Sequence, residues 1–235
     1  MQAREPGVMI TLKRTDVLAG WIMAGIVSVL PIMFLMLGIG ALAGGDSVGL
    51  WLLLFAAPCL ALAALVIVEA RSRAGVRIIV DANAVHLKLP QRRGYAAQDP
   101  VQESVPRASV SAVESRSEAF RSAGSTVVQR SFSLVLSDGR RIVLGGDRPM
   151  QPPFFERAAG AISAQLRVPV RELGMVEGDP GFLLISGQRV PSWDTQPLNP
   201  TEADRRTAAS AATWRIVFII VGTSLVIGTA ARLFG

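Results

Sequence analysis

Cysteine occurs once in this chain, at Cys59, so no intramolecular disulfide and no cysteine-based metal site can form. Histidine also occurs once, at His86, which excludes metal or acid–base sites built from several imidazoles. Tyr95 is the only tyrosine, and no compact Lys/Arg block is interleaved with aromatics, so nucleic acid is not an expected partner. The string Gly45-Asp46-Ser47-Val48-Gly49 fits Gly-x-Ser-x-Gly but lies between two apolar runs and not between a strand and a helix, and no glycine loop followed by Lys-Ser/Thr is present. Serine-triad and nucleotide chemistry are therefore not legible, no cofactor is expected, and the chain reads as a protein without catalysis of its own.

The most informative absence is of charge. From Val17 to Ala43 and from Val48 to Val68 there is no acidic or basic residue, and only Gly44, Gly45, Asp46 and Ser47 separate the two runs. A bilayer core needs roughly 20 apolar residues per helical crossing. Residues 17–70 are thus expected to form a transmembrane helical hairpin, with Trp21 and Trp51 as interface anchors. Pro31 falls inside the first helix and is expected to bend it. Gly40 and Gly44 form a small-xxx-small pair that eases the turn. The first run is too long for a secretory signal core, which favours a retained helix.

Half of the residues are hydrophobic, the formal net charge is +6, and the mean hydropathy is +0.41. Spans joined to a modest extramembrane domain account for that mixture. The tail, residues 1–16, carries Arg4, Lys13 and Arg14, and Arg71, Arg73 and Arg77 follow the second run, whereas the connecting loop has no Lys or Arg. The positive-inside rule then places both flanks in the cytoplasm and the loop outside. A third apolar run, residues 214–233, is expected to cross again and to leave the C-terminus outside. No carboxylate lies deep within any run, which argues against proton relays and ion-coupled transport. A transport or channel component is the alternative, hinted at only by Pro31 and helix glycines.

From Gly75 the pattern becomes alternating. Val76, Ile78 and Val80, then Val85, Leu87 and Leu89, point one way across an Asn83 turn, with His86 and Lys88 on the polar face. Residues 90–100 form a polar loop, 101–105 and 109–115 two short strands, and 118–124 a connection. Thr126 to Ser137 is the clearest strand, with Val128, Phe132, Leu134 and Leu136 inward. Asp138 and Gly139 make a tight turn into Arg140 to Leu144, after which Gly145 and Gly146 are expected to break the sheet. A helix follows from Pro152 and Pro153 to about Leu166, with Phe155, Ala158, Ala159, Ile162 and Leu166 on one face. Residues 171–199 read as a linker, in which Trp193 packs on the sheet. Asn199, Pro200 and Glu202 begin a juxtamembrane helix over residues 200–213.

The Val-Arg-Ile-Ile-Val strand, the hairpin Phe-Ser-Leu-Val-Leu-Ser-Asp-Gly-Arg-Arg-Ile-Val-Leu and the closing helix after Gly146-Asp147-Arg148-Pro149 resemble the bacterial pleckstrin-homology-like (PH-like) domains of small membrane proteins. The resemblance spans residues 75–170. It implies an α+β domain, an antiparallel sheet or barrel capped by a C-terminal helix, carried by a membrane α-helical anchor in the bacterial inner membrane. It implies a scaffold, subunit or assembly factor whose partners are membrane lipids and other membrane proteins. Arg71, Arg73, Arg77, Arg92 and Arg93 are the candidates for contact with anionic lipid headgroups.

Overall fold

A computed structural model describes residues 8–11, 14–91, 93, 98–122, 125–147, 153–178, 192–213 and 215. They fall into two compact units, one within residues 1–92 and 99–104, the other within 93–98 and 105–235.

The first unit is built on two helices, α1 (Arg14–Ala43) and α2 (Val48–Ala74). Both are long and apolar enough to cross a membrane. The turn between them is a Schellman motif: Gly45 takes φ +80°, Asp46 N–H donates to the Ala41 carbonyl at 2.9 Å, and Gly45 N–H donates to Leu42 at 3.0 Å. The Asp46 carboxylate then accepts the Val48 N–H at 2.9 Å and caps α2.

The buried positions of this hairpin are small or cyclic. Ala24, Pro31 and Gly38 recur every seven residues along α1, and Gly49, Ala56, Ala63 and Ala70 recur every seven along α2. Large apolar side chains face outward instead, with Met36 70%, Leu50 65% and Trp51 63% exposed. A sevenfold seam of small residues brings helix backbones together as a gently supercoiled pair. The tightest approach lies at Gly38 and Gly49 and not at the Gly40 and Gly44 pair beside the turn. A Cβ on Gly49 would lie 2.5 Å from the Gly38 carbonyl oxygen, whereas one on Gly40 would meet nothing within 4 Å.

Where the hairpin opens, its two flanks are joined by a sheet with strand order β1-β2-β3-β4. β1 (Val8–Ile10) pairs antiparallel with β2 (Arg77–Val80), and β2 with β3 (Ala84–Leu89). Residues 8–10, read from sequence as part of a tail, are therefore a strand. β4 (Val101–Pro106) completes the sheet. Val76, Ile78, Val80, Val85, Leu87 and Leu89 are all buried, as the alternation predicts.

The second unit contains the sheet β7-β6-β5-β8. β5 (Val110–Ser122) and β6 (Ser125–Leu136) form a long antiparallel ladder, so residues 118–122 extend the strand instead of connecting it. β7 (Arg141–Asp147) runs through the two glycines expected to break it. They are needed there for packing: a Cβ on Gly145 would lie 2.3 Å from the Phe155 ring, and one on Gly146 2.6 Å from the Gln129 side chain. α3 (Phe154–Leu166) buries Phe154, Phe155, Ala158, Ala159, Ile162 and Leu166. Pro153 offers no capping side chain, so Asp147 at the end of β7 takes that role and accepts the N–H groups of Phe155 at 3.0 Å and Glu156 at 2.7 Å.

β8 (Val170–Glu177) lies in the stretch read as a linker, and it joins β5 in parallel. The described strands thus form two open four-stranded sheets, with no closed barrel among the described residues, and α3 is followed by a strand instead of ending the domain. A parallel edge strand needs a crossover, and α3 supplies it. The helix over residues 200–213, α4, starts as expected, with Glu202 N–H donating to the Asn199 side chain at 2.8 Å. The third apolar run lies outside the described residues, apart from the helical backbone at Arg215.

Adding a methyl group at the seam should destabilise the hairpin by about 1–3 kcal/mol for Gly49→Ala and leave Gly40→Ala near wild type. Thermal midpoints in detergent would show the difference.

Candidate functional site

The solvent face of the first sheet is set by the same alternation that buries its other side. Arg77 and Ile79 on β2, His86 and Lys88 on β3, and Gln102 and Ser104 on β4 line an open groove of about 390 Å³. Leu87 and Glu103 complete its wall. Arg77 and Lys88 stand directly opposite each other in the ladder. Like charges in cross-strand register repel, and neither has a carboxylate partner among the described residues. The groove therefore carries two positive charges against the single carboxylate of Glu103.

At its other end the sole histidine is held by both ring nitrogens. His86 Nε2 lies 2.9 Å from Asp81 Oδ2, and Nδ1 lies 2.7 Å from Ser104 Oγ. Asp81 is itself fixed by the β2–β3 turn, where its Oδ1 accepts the N–H groups of Asn83 at 2.8 Å and Ala84 at 2.7 Å. The His86 hydrogen bond, with these two backbone bonds, lowers the Asp81 pKa from an ordinary 3.8 to about 2. An ionised carboxylate can only accept, so Nε2 carries a proton toward Asp81. In the neutral imidazole Nδ1 is then the acceptor, and the Ser104 hydroxyl donates to it.

Of the five arginines expected at a lipid surface, Arg71, Arg77 and Arg93 have described side chains. Arg77 lines the groove, and Arg71 is exposed near the end of α2. The side chains of Arg73 and Arg92 lie outside the described residues. Arg93 is a correction: it is only 3% exposed, its guanidinium donates to Gln98 Oε1 at 2.9 Å and to the Val143 carbonyl at 3.2 Å, and its own carbonyl accepts the Gly146 N–H. A guanidinium held on a backbone carbonyl inside the second unit is not available to a headgroup.

A further polar cluster fastens residues 192–195 to the second sheet. Arg116 donates to the carbonyls of Trp193 and Thr195, and Arg141 bridges Glu114 at 3.0 Å and Asp194 at 3.2 Å while lying over the Trp193 ring. Burial lowers the Arg116 pKa, and the guanidinium stays protonated. Trp193 is 5% exposed, which agrees with the packing role expected of it. No group of three His, Cys, Asp or Glu side chains among the described residues is arranged to hold a metal.

Sequence reasoning placed His86 on a polar strand face and stopped there. Asp81 could have been found, because a hairpin turn returns the chain beside its own start. Ser104 could not, since its approach depends on the register of a third strand further along the chain. No family model, curated protein or solved structure matches the chain.

Folding depresses the Asp81 pKa, so its stabilising contribution is fully present above the ordinary 3.8 and is lost as pH falls through about 2. The melting temperature of the wild type should therefore fall more steeply with acidification between about pH 4 and 2 than that of Asp81→Asn.

Proposed function

We propose that this chain is an integral membrane protein whose α+β region is held at the cytoplasmic surface of a bacterial inner membrane, where it serves as a scaffold, subunit or assembly factor of a membrane complex. The observation that carries the reading is the inverted packing of the hairpin, with small residues inside and large apolar ones outside. In water that arrangement leaves the hydrophobic effect unused, whereas in lipid the outer surface is already solvated and close backbone packing is what holds helices together.

Orientation rests on the charges at the open end of the hairpin. The β1–β2 ladder ties the two flanks to each other, which supports a common side for the basic residues around them, and the Lys- and Arg-free turn lies at the opposite end. Trp21 and Trp51, both exposed near opposite ends of the hairpin, suit the two interfaces. Arg71 and Arg77, close in sequence to the end of α2, are the described residues best placed to meet anionic headgroups, with about 1 kcal/mol available per basic residue near such a surface. The β5–β6–β7 meander with α3 packed on it supports the likeness to PH-like domains. Residues 214–233 have the length and composition of a third span.

Single cysteines placed on a Cys59→Ser background test the topology. A membrane-impermeant thiol reagent applied from the periplasmic side should label Ser47→Cys and leave Asp138→Cys unmodified until the membrane is opened. Labelling of Asp138→Cys from outside would reverse the orientation. Crosslinking in intact membranes should in addition trap another membrane protein on the α+β region, and a chain recovered without any such partner would count against the assembly role.

A further inference from the structure

We propose that Ser104 is a nucleophile, activated by His86 as general base, toward acyl esters that carry a negative charge. The proposal goes beyond the scaffold reading and rests on the geometry of one sheet face.

Three observations support it. Nucleophile, base and orienting carboxylate occur in one unbroken relay, with 2.7 Å from Ser104 Oγ to His86 Nδ1 and 2.9 Å from His86 Nε2 to Asp81 Oδ2. The two ring nitrogens exchange the duties they have in serine proteases, but either can act as the base once the other is held as a donor. The relay opens onto a groove and is not sealed in a core: Ser104 is exposed and lines the groove. Arg77 and Lys88, in excess over the one carboxylate of Glu103, line the same groove and would draw in an anionic substrate, and Gln102 offers an amide donor beside the serine.

The chemistry balances within these groups and water. As Ser104 Oγ bonds to the ester carbonyl carbon, its proton passes to His86 Nδ1 and the carbonyl π pair moves onto oxygen. Lys88 and Gln102 are the groove donors available to that oxyanion. Collapse breaks the bond to the alcohol oxygen, which leaves with the proton from Nδ1. Water, deprotonated by the same nitrogen, then releases the carboxylic acid and restores the serine. Asp81 touches none of the reacting atoms and is a positioning residue.

The test uses the full chain in mild detergent and a fluorophosphonate probe, which forms an Oγ–P bond and expels fluoride. Adduct mass should map to Ser104, vanish in Ser104→Ala with an unchanged melting curve, and form at least ~100-fold more slowly in His86→Gln. Labelling of the wild type should rise with pH along a single limb, and Asp81→Asn should displace that limb. The mono-4-nitrophenyl ester of adipic acid, whose carboxylate does not readily displace its own phenolate, should turn over about tenfold faster than 4-nitrophenyl hexanoate, a preference erased by Arg77→Glu with Lys88→Glu. Labelling no faster than in heat-denatured protein, or an unchanged rate in His86→Gln, would overturn the nucleophile and mark the relay as a clasp between the turn and β4. Equal turnover of the two esters would overturn the choice of anionic substrate.

Discussion

Close approach of two helix backbones is the constraint on which the first unit depends. Gly38 and Gly49 allow it near the turn, and the alanines at seven-residue intervals extend it along α2. Leu53 lies over Gly38 and Leu42 over Gly49, so the helices meet through backbone, methyl and these two leucine surfaces, and most of the bulk of leucine, isoleucine, methionine and tryptophan is displaced outward. Such a pair is poorly suited to water, because the surface that would drive association is the surface left exposed. Apolar solvent removes that penalty and leaves packing as the cohesive force. The β1–β2 ladder then does at the open end what the Schellman turn does at the closed one, so both ends of the hairpin are tied by backbone hydrogen bonds.

The second unit follows the opposite logic. One face of its sheet is an ordinary apolar core under α3. Along β5 and β6 the other face carries Glu114, Arg116, Gln129, Ser131 and Ser133, all buried. Buried polar groups are tolerable only with partners. Here Arg141 of β7 pairs with Glu114, Gln129 donates to Ser131 within β6, and the backbone carbonyls of Trp193 and Thr195 receive Arg116. A polar strand face that looks solvated in sequence is thus enclosed, and the stretch that read as a linker is part of what encloses it.

Much of the architecture was legible because it follows from local rules. Continuous apolarity marked α1 and α2, alternation marked β2, β3 and β6, and Asp138-Gly139 marked a turn in which Gly139 takes φ +84°. The errors share one cause, which is non-local contact. Gly145 and Gly146 read as breakers because sequence does not show that Phe155 and Gln129 will press against them. Val170–Glu177 read as linker because a short edge strand is stabilised by its neighbour β5 more than by its own pattern. Arg93 read as a surface charge because the carbonyl that receives it is fifty residues away.

The candidate site divides along the same line. Charge-free runs, a basic bias beside them and a histidine on a polar strand face are properties of composition and periodicity, and the amino-acid sequence alone determined them. The meeting of Asp81, His86 and Ser104, and the standing of Arg77 against Lys88, required strand register, which the tertiary structure decided. Register is chosen by the sum of cross-strand contacts over a whole sheet, and no single stretch of chain contains that sum.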